Sequence, residues 1–167
     1  AGNTGMTGWT IGNGVMLDNN KFGTPSDGNQ FLDLQSNTFG GGSAGIISQS
    51  FATEIGVNYV LTFDYSAVSS DASMTITYDL GGLAQTVTFS NSGGQVWATE
   101  TYLFTATSTN TILTFEGDFL GAIAGPGIDN VSVTRTALMP GNLIENGSFE
   151  GPELSGSNAE MPASNEG

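Results

Sequence analysis

Tyr59-Val-Leu-Thr-Phe-Asp-Tyr-Ser66 decides the fold class. Successive side chains of a strand point to opposite faces, so Tyr59, Leu61, Phe63 and Tyr65 line one face while Thr62, Asp64 and Ser66 line the other. The stretch reads as a half-buried strand. The same alternation, rich in β-branched and aromatic residues, recurs in Met74-Thr-Ile-Thr-Tyr78, Gln85-Thr-Val-Thr-Phe89, Tyr102-Leu-Phe-Thr-Ala106, Ile112-Leu-Thr-Phe-Glu116 and Ile128-Asp-Asn-Val-Ser-Val133. Turn clusters separate these runs: Gly81-Gly82, Asn91-Ser-Gly-Gly94, Ser108-Thr-Asn110 and Gly125-Pro-Gly127. Trp9 to Leu17, Phe31 to Leu34, Ile46 to Phe51 and Leu143 to Phe149 bring the expected total to about ten strands, which suits an all-β, jelly-roll-like β-sandwich.

Composition narrows the chemistry. The 167 residues carry a net charge of -14, and Lys21 and Arg135 are the only cationic side chains. A phosphate backbone or an anionic lipid surface is repelled by such a chain, so neither nucleic acid nor a charged membrane is an expected partner. With no Cys and no His, a thiol nucleophile, an imidazole base and the usual transition-metal ligands are missing. No apolar run approaches the roughly 20 residues needed to span a bilayer. There is no charged-then-apolar signal segment at the start, so an exported protein is read here in mature or excised form. The 25 glycines and low charged fraction of 11% match extracellular all-β modules. Extracellular or cell-surface placement in a prokaryote is the expectation.

Two stretches do not read as strands. Residues 37–45 are a Gly-rich loop, and 153–167 form a polar, acidic tail that stays unstructured unless it docks on its own sandwich or on another subunit.

Gly8-Trp-Thr10, Gly28-Asn-Gln-Phe-Leu-Asp-Leu34, Ile47-Ser-Gln-Ser-Phe-Ala-Thr53, Gly56-Val-Asn-Tyr-Val-Leu-Thr-Phe-Asp64, Thr111-Ile-Leu-Thr-Phe115 and Gly127-Ile-Asp-Asn-Val-Ser-Val133 together resemble the galactose-binding-like β-sandwiches. The closest types are carbohydrate-binding modules of the family 4/9 kind and related extracellular domains of unknown function. In those families the domain opens with a strand like Asn142-Leu-Ile-Glu-Asn-Gly-Ser-Phe-Glu150, which here follows the closing strand. Joining Gly167 to Ala1 restores the family order. The resemblance therefore implies a sandwich body at 1–135, a connector at 136–141, and an opening strand with an acidic tail at 142–167. Asn142, Leu143, Ile144, Asn146 and Phe149 would carry the displaced strand, either in cis or as a donation to a neighbouring subunit. The resemblance also implies a structural Ca²⁺ held by Asp129 and Glu150; the alternative is that both carboxylates are solvated or bind loop amides.

Other residues are less specific. Trp97 and Trp9 could stack on sugar rings, but Trp9 belongs to the Gly-Trp motif and Trp97 leads into an alternating run, so core or edge packing is favoured for both. Asp64 and Glu116 could pair as a glycosidase acid and base, yet 16 acidic residues make some pair inevitable. The Asn130-Val-Ser132 and Asn146-Gly-Ser148 sequons lie inside strand motifs and read as structural. Lys21 reads as a plain surface charge. The expectation is a non-enzymatic subunit of an extracellular filament, tube or surface matrix, a homopolymer joined by strand donation and reinforced by Ca²⁺. The alternative is a non-catalytic carbohydrate-binding module that attaches a larger protein to polysaccharide.

Overall fold

The computed structural model describes residues 5–21, 23–36, 43–68, 73–90, 94–118, 125–136, 141–150, 156 and 158–161. Its strands are β1 (Thr10–Asn13), β2 (Val15–Asn19), β3 (Gln30–Asp33), β4 (Gln35–Ser36), β5 (Ser43–Ala44), β6 (Ile46–Ala52), β7 (Asn58–Ala67), β8 (Ser73–Leu80), β9 (Ala84–Ser90), β10 (Ala98–Thr105), β11 (Asn110–Gly117), β12 (Pro126–Arg135) and β13 (Asn158–Met161). Two antiparallel sheets face one another. The first runs β1-β6-β11-β8-β9, the second β10-β7-β12-β3-β2-β13, and β4 pairs with β5 apart from both.

Alternation explains the layering. From β7, Leu61 and Phe63 are fully buried between the sheets, where they meet Ile47, Phe115, Ile76 and Tyr78 of the opposite sheet. Phe63 packs edge-on against Phe115 at 4.9 Å and against Tyr78 at 5.3 Å between ring centroids, geometries that the ring quadrupoles favour. Each large side chain buried this way contributes about 1.5–3 kcal/mol. The opposite face of the second sheet carries hydroxyls. Thr62 of β7 stands between Thr101 of β10 and Ser132 of β12.

Three expectations change. Trp9 to Leu17 is not one strand: the chain leaves the first sheet after β1 and enters the second with β2. The Asn13 side chain holds the crossing, accepting from Gly14 N–H at 3.0 Å and donating to Ala44 O at 2.6 Å. Residues 143–149 do not form a regular strand either. Leu143 N–H donates to Val133 O and Val131 N–H to Gly147 O, but Asn146 and Phe149 take left-handed φ values of 49° and 56°, which interrupt a regular ladder. The tail, by contrast, contains a strand: β13 pairs antiparallel with β2 from Asn158 opposite Asp18 to Met161 opposite Val15. The Gly-rich loop expected at 37–45 falls mostly outside the described residues, apart from β5 and Gly45.

Residues 141–150 and 158–161 therefore pack, in this single chain, against their own sandwich. Ile144, Phe149 and Met161 all join the common core. Trp9 lies 5.6 Å from Phe149 between ring centroids and donates its indole N–H to Asn146 O at 3.3 Å. Gln49 grips both main-chain groups of Glu145, donating to its O at 2.9 Å and accepting from its N–H at 2.7 Å.

Candidate functional site: the open face around Trp97 and the loop at 23–30

The loop between β2 and β3 is anchored by three acids. Asp129 Oδ2 accepts the Ser26 and Asp27 amides, both at 2.9 Å, while Oδ1 accepts the Asn130 amide at 2.8 Å. Glu150 Oε1 accepts the amides of Asn29 at 2.7 Å and Gln30 at 2.8 Å. Asp64 accepts Thr99 Oγ1–H at 2.6 Å and Asn130 Nδ2–H at 3.2 Å. Ser26 Oγ lies 2.9 Å from Asp64 and 3.1 Å from Asp129, so its single proton serves one of the two. Burial pushes the Asp129 carboxyl up to about 7, although the hydrogen bonds from Asp27, Asn130 and Ser26 pull the other way.

Asp129 and Glu150, expected to share a Ca²⁺, thus stand over the same short loop. The atoms facing them are amide and hydroxyl hydrogens, which carry partial positive charge and stand where a cation would, so an ion drawn here would have to displace those donors. As arranged, these oxygens fit hydrogen-bond donors rather than Ca²⁺. No cluster of three or more acidic ligands occurs among the described residues.

Beside this loop the outer face of the second sheet is open along β10 and β7. Trp97, immediately before β10, is half-buried. Its indole N–H donates to Thr24 O at 2.6 Å, and its ring meets the edge of buried Phe31 at 5.6 Å. Gly127 makes room for this: a Cβ there would come within 3.4 Å of both Trp97 and Phe31. Gln95 Oε1 accepts the Thr24 amide at 2.7 Å and ties the same loop from the other side. The indole is therefore fixed rather than free, with the hydroxyls of Thr99, Thr101 and Thr62 extending along the sheet beyond it. Trp9 lies 5% exposed in the core.

The remaining candidates separate. Asp64 and Glu116 project from the outer faces of different sheets, with the core between them, and form no acid–base pair. Asn130 is exposed at the irregularity in β12, with φ at 50°. Asn142 Oδ1 accepts the Val133 and Ile144 amides, and Leu143 lines a hollow of about 330 Å³ with Ala52, Thr53, Tyr59 and Gly141. On its rim Arg135 grips Glu54 through its two terminal guanidinium nitrogens, at 2.8 and 3.1 Å.

Sequence reasoning missed one pair. Asp18 and Asp33 are fully buried on β2 and β3. Burial raises Asp18 to about 7; Asp33 is raised well above the ordinary range by burial, with the Asp18 charge adding to it. Their signal was in Met16-Leu-Asp18 and Phe31-Leu-Asp-Leu34, where a carboxylate sits inside an otherwise apolar strand.

Solved structures share this architecture. The CBM61 module TmCBM61, determined with β-1,4-galactotriose, is 15% identical, with a TM-score of 0.54 over 78% of this chain and 90% of that one. The CBM22-1 xylan-binding domain of Xyn10C from Paenibacillus barcinonensis is 17% identical, with a TM-score of 0.52 over 82% of this chain and 91% of that one. These likenesses establish the fold as that of a carbohydrate-binding-module β-sandwich. In sequence, halomucin of Haloquadratum walsbyi is 31% identical over 140 residues, which are 82% of this chain and only 2% of halomucin. Residues 1–134 match the family described as a protein of unknown function, DUF642, and the chain belongs to that family.

Proposed function

We propose that this chain is a non-catalytic glycan-binding unit of a large extracellular or surface protein, with Trp97 as the stacking platform. The observation that carries the reading is the indole itself: half-exposed, pinned by its N–H and by Phe31, and continuous with an open hydroxyl-lined sheet face. An apolar ring face beside fixed hydrogen-bonding groups is what a pyranose ring with equatorial hydroxyls requires. Because fold alone is a weak warrant for function, support comes from the ring's fixed geometry together with the likeness to modules that were solved with galactotriose or are described as xylan-binding.

The test is affinity electrophoresis on β-1,4-galactan and xylan, followed by calorimetry on whichever retards the protein. Trp97→Ala is expected to weaken binding about tenfold or more, equivalent to about 1.4 kcal/mol. Trp9→Phe, a change in the core, leaves the affinity of the folded protein unaltered. Failure to bind either polysaccharide, or equal binding by Trp97→Ala, rejects the reading.

A second reading is self-assembly. The family match ends at 134, whereas the core continues to Met161. The last core residues thus arrive on a segment joined through the connector at 136–141. The same contacts made to a neighbouring copy would link subunits into an extracellular polymer.

A further inference from the structure

Asp18 and Asp33 present a different chemistry from the loop acids. Met16 stands opposite Asp33 and Asp18 opposite Phe31 in the β2–β3 ladder, so the two acids are diagonal neighbours on one face of adjacent strands. That face points away from the core, because Val15, Leu17, Leu32 and Leu34 occupy the other. Both acids are nevertheless enclosed, at 0% and 1% exposure. Gly125 N–H reaches both oxygens of Asp33, at 3.0 and 3.2 Å. Among the described residues, neither oxygen of Asp18 has a hydrogen-bond partner.

A buried carboxylate with no donor and no counter-charge is among the costliest arrangements a fold can hold. The chain has little with which to neutralise it. Arg135 is committed to Glu54, and Lys21, the other cationic side chain, is exposed in the turn after β2. Asp129 and Glu150 each receive amide hydrogens, and Asp33 accepts the Gly125 and Gln35 amides, but Asp18 beside it offers two bare oxygens. Hard oxygen ligands without donors are what a divalent cation seeks.

We propose that Asp18 and Asp33 bind a divalent cation, Ca²⁺ above all, beneath the edge strand β13. Asn158 of β13 stands opposite Asp18 and Glu160 opposite Met16, so the ion sits where the C-terminal strand closes the second sheet. Binding there ties residues 158–161 to β2. The site is separate from the Asp129–Glu150 position and does not depend on glycan binding.

The experiment uses the full chain, stripped of metal, at pH 7.5. Calorimetric titration with CaCl₂ is expected to show one site. Melting at a free Ca²⁺ concentration about 100 times the Kd should exceed melting in chelator by about 5 °C or more. Asp18→Asn and Asp33→Asn are each expected to abolish that increment, and Asp18→Asn should melt no lower than the parent in chelator because it removes a buried charge. Glu150→Gln should keep the increment. Absence of Ca²⁺ binding by the parent protein overturns the proposal and leaves the pair neutralised by protons alone. So does an increment that survives Asp18→Asn but disappears in Glu150→Gln, which would place the ion at the loop. Should Asp33→Asn fail to fold, Asp18→Asn alone decides.

Discussion

At the scale of the residue, the buried acids give the molecule an inverted pH dependence. Asp18 and Asp129 are raised to about 7 from an ordinary 3.8, and Asp33 further still. Between those values the folded chain holds protons that the unfolded chain has released, so unfolding free energy falls as pH rises from about 4 through about 7. An ion-paired aspartate acts in the opposite sense. Melting curves in chelator are therefore expected to drop between pH 5 and pH 8, and Asp18→Asn should flatten part of that drop. An unchanged slope in the variant would show that Asp18 takes no part in it. Residue identities were partly legible beforehand. Asp129 and Glu150, distant in sequence, do meet at one loop, and Trp9 does pack inside. The Asp18–Asp33 pair left only the trace of a carboxylate inside an apolar strand; its enclosure was not legible, because alternation tells which face a residue takes and says nothing of what covers that face.

At the scale of the element, every long alternating run became a strand. Periodicity of two over five or more residues leaves little choice once one face is apolar. The failures lie where alternation is short or interrupted. Asn13-Gly14 moves the chain between sheets, and β13 was hidden in a polar tail because a strand borrows its main-chain partners from a neighbour whatever its side chains. The segment 141–150 had a strand's composition but not its backbone, held instead by Gln49, Asn142 and left-handed turns. Removing residues 137–167 is expected to leave a body that melts far lower or does not fold, since it loses Ile144, Phe149 and Met161 from the core; a buried large apolar residue cut to alanine already costs about 2–5 kcal/mol. Adding those residues back as a peptide should restore cooperative melting, measured by near-ultraviolet circular dichroism. A truncated body that melts like the parent would mean the segment is ornamental, and rescue would demonstrate that it can be supplied by another molecule.

At the scale of the whole molecule, a charge of -14 on 167 residues opposes compaction through self-repulsion. Screening shortens from about 10 Å at 0.1 M salt to about 3 Å at 1 M. The melting temperature is therefore expected to climb across that range in scanning calorimetry with sodium chloride; a flat response would show that the surface charges are too far apart to matter. Fold class and the non-basic surface were evident from the chain alone, because both are sums over many residues. The site was less so, since Trp97 owes its exposure and fixed pose to Gly127, Thr24 and Phe31, which local pattern does not connect.

The Trp9–Phe149 contact bears on how such units multiply. The family match covers residues 1–134 while core contacts among the described residues reach Met161, so the matched stretch and the packed stretch differ by part of a sheet. In a protein built from many such units, duplication can cut the gene at one set of boundaries while the polypeptide seals itself at another. A fragment trimmed to the hereditary boundary would carry the right ancestry and an unfinished core.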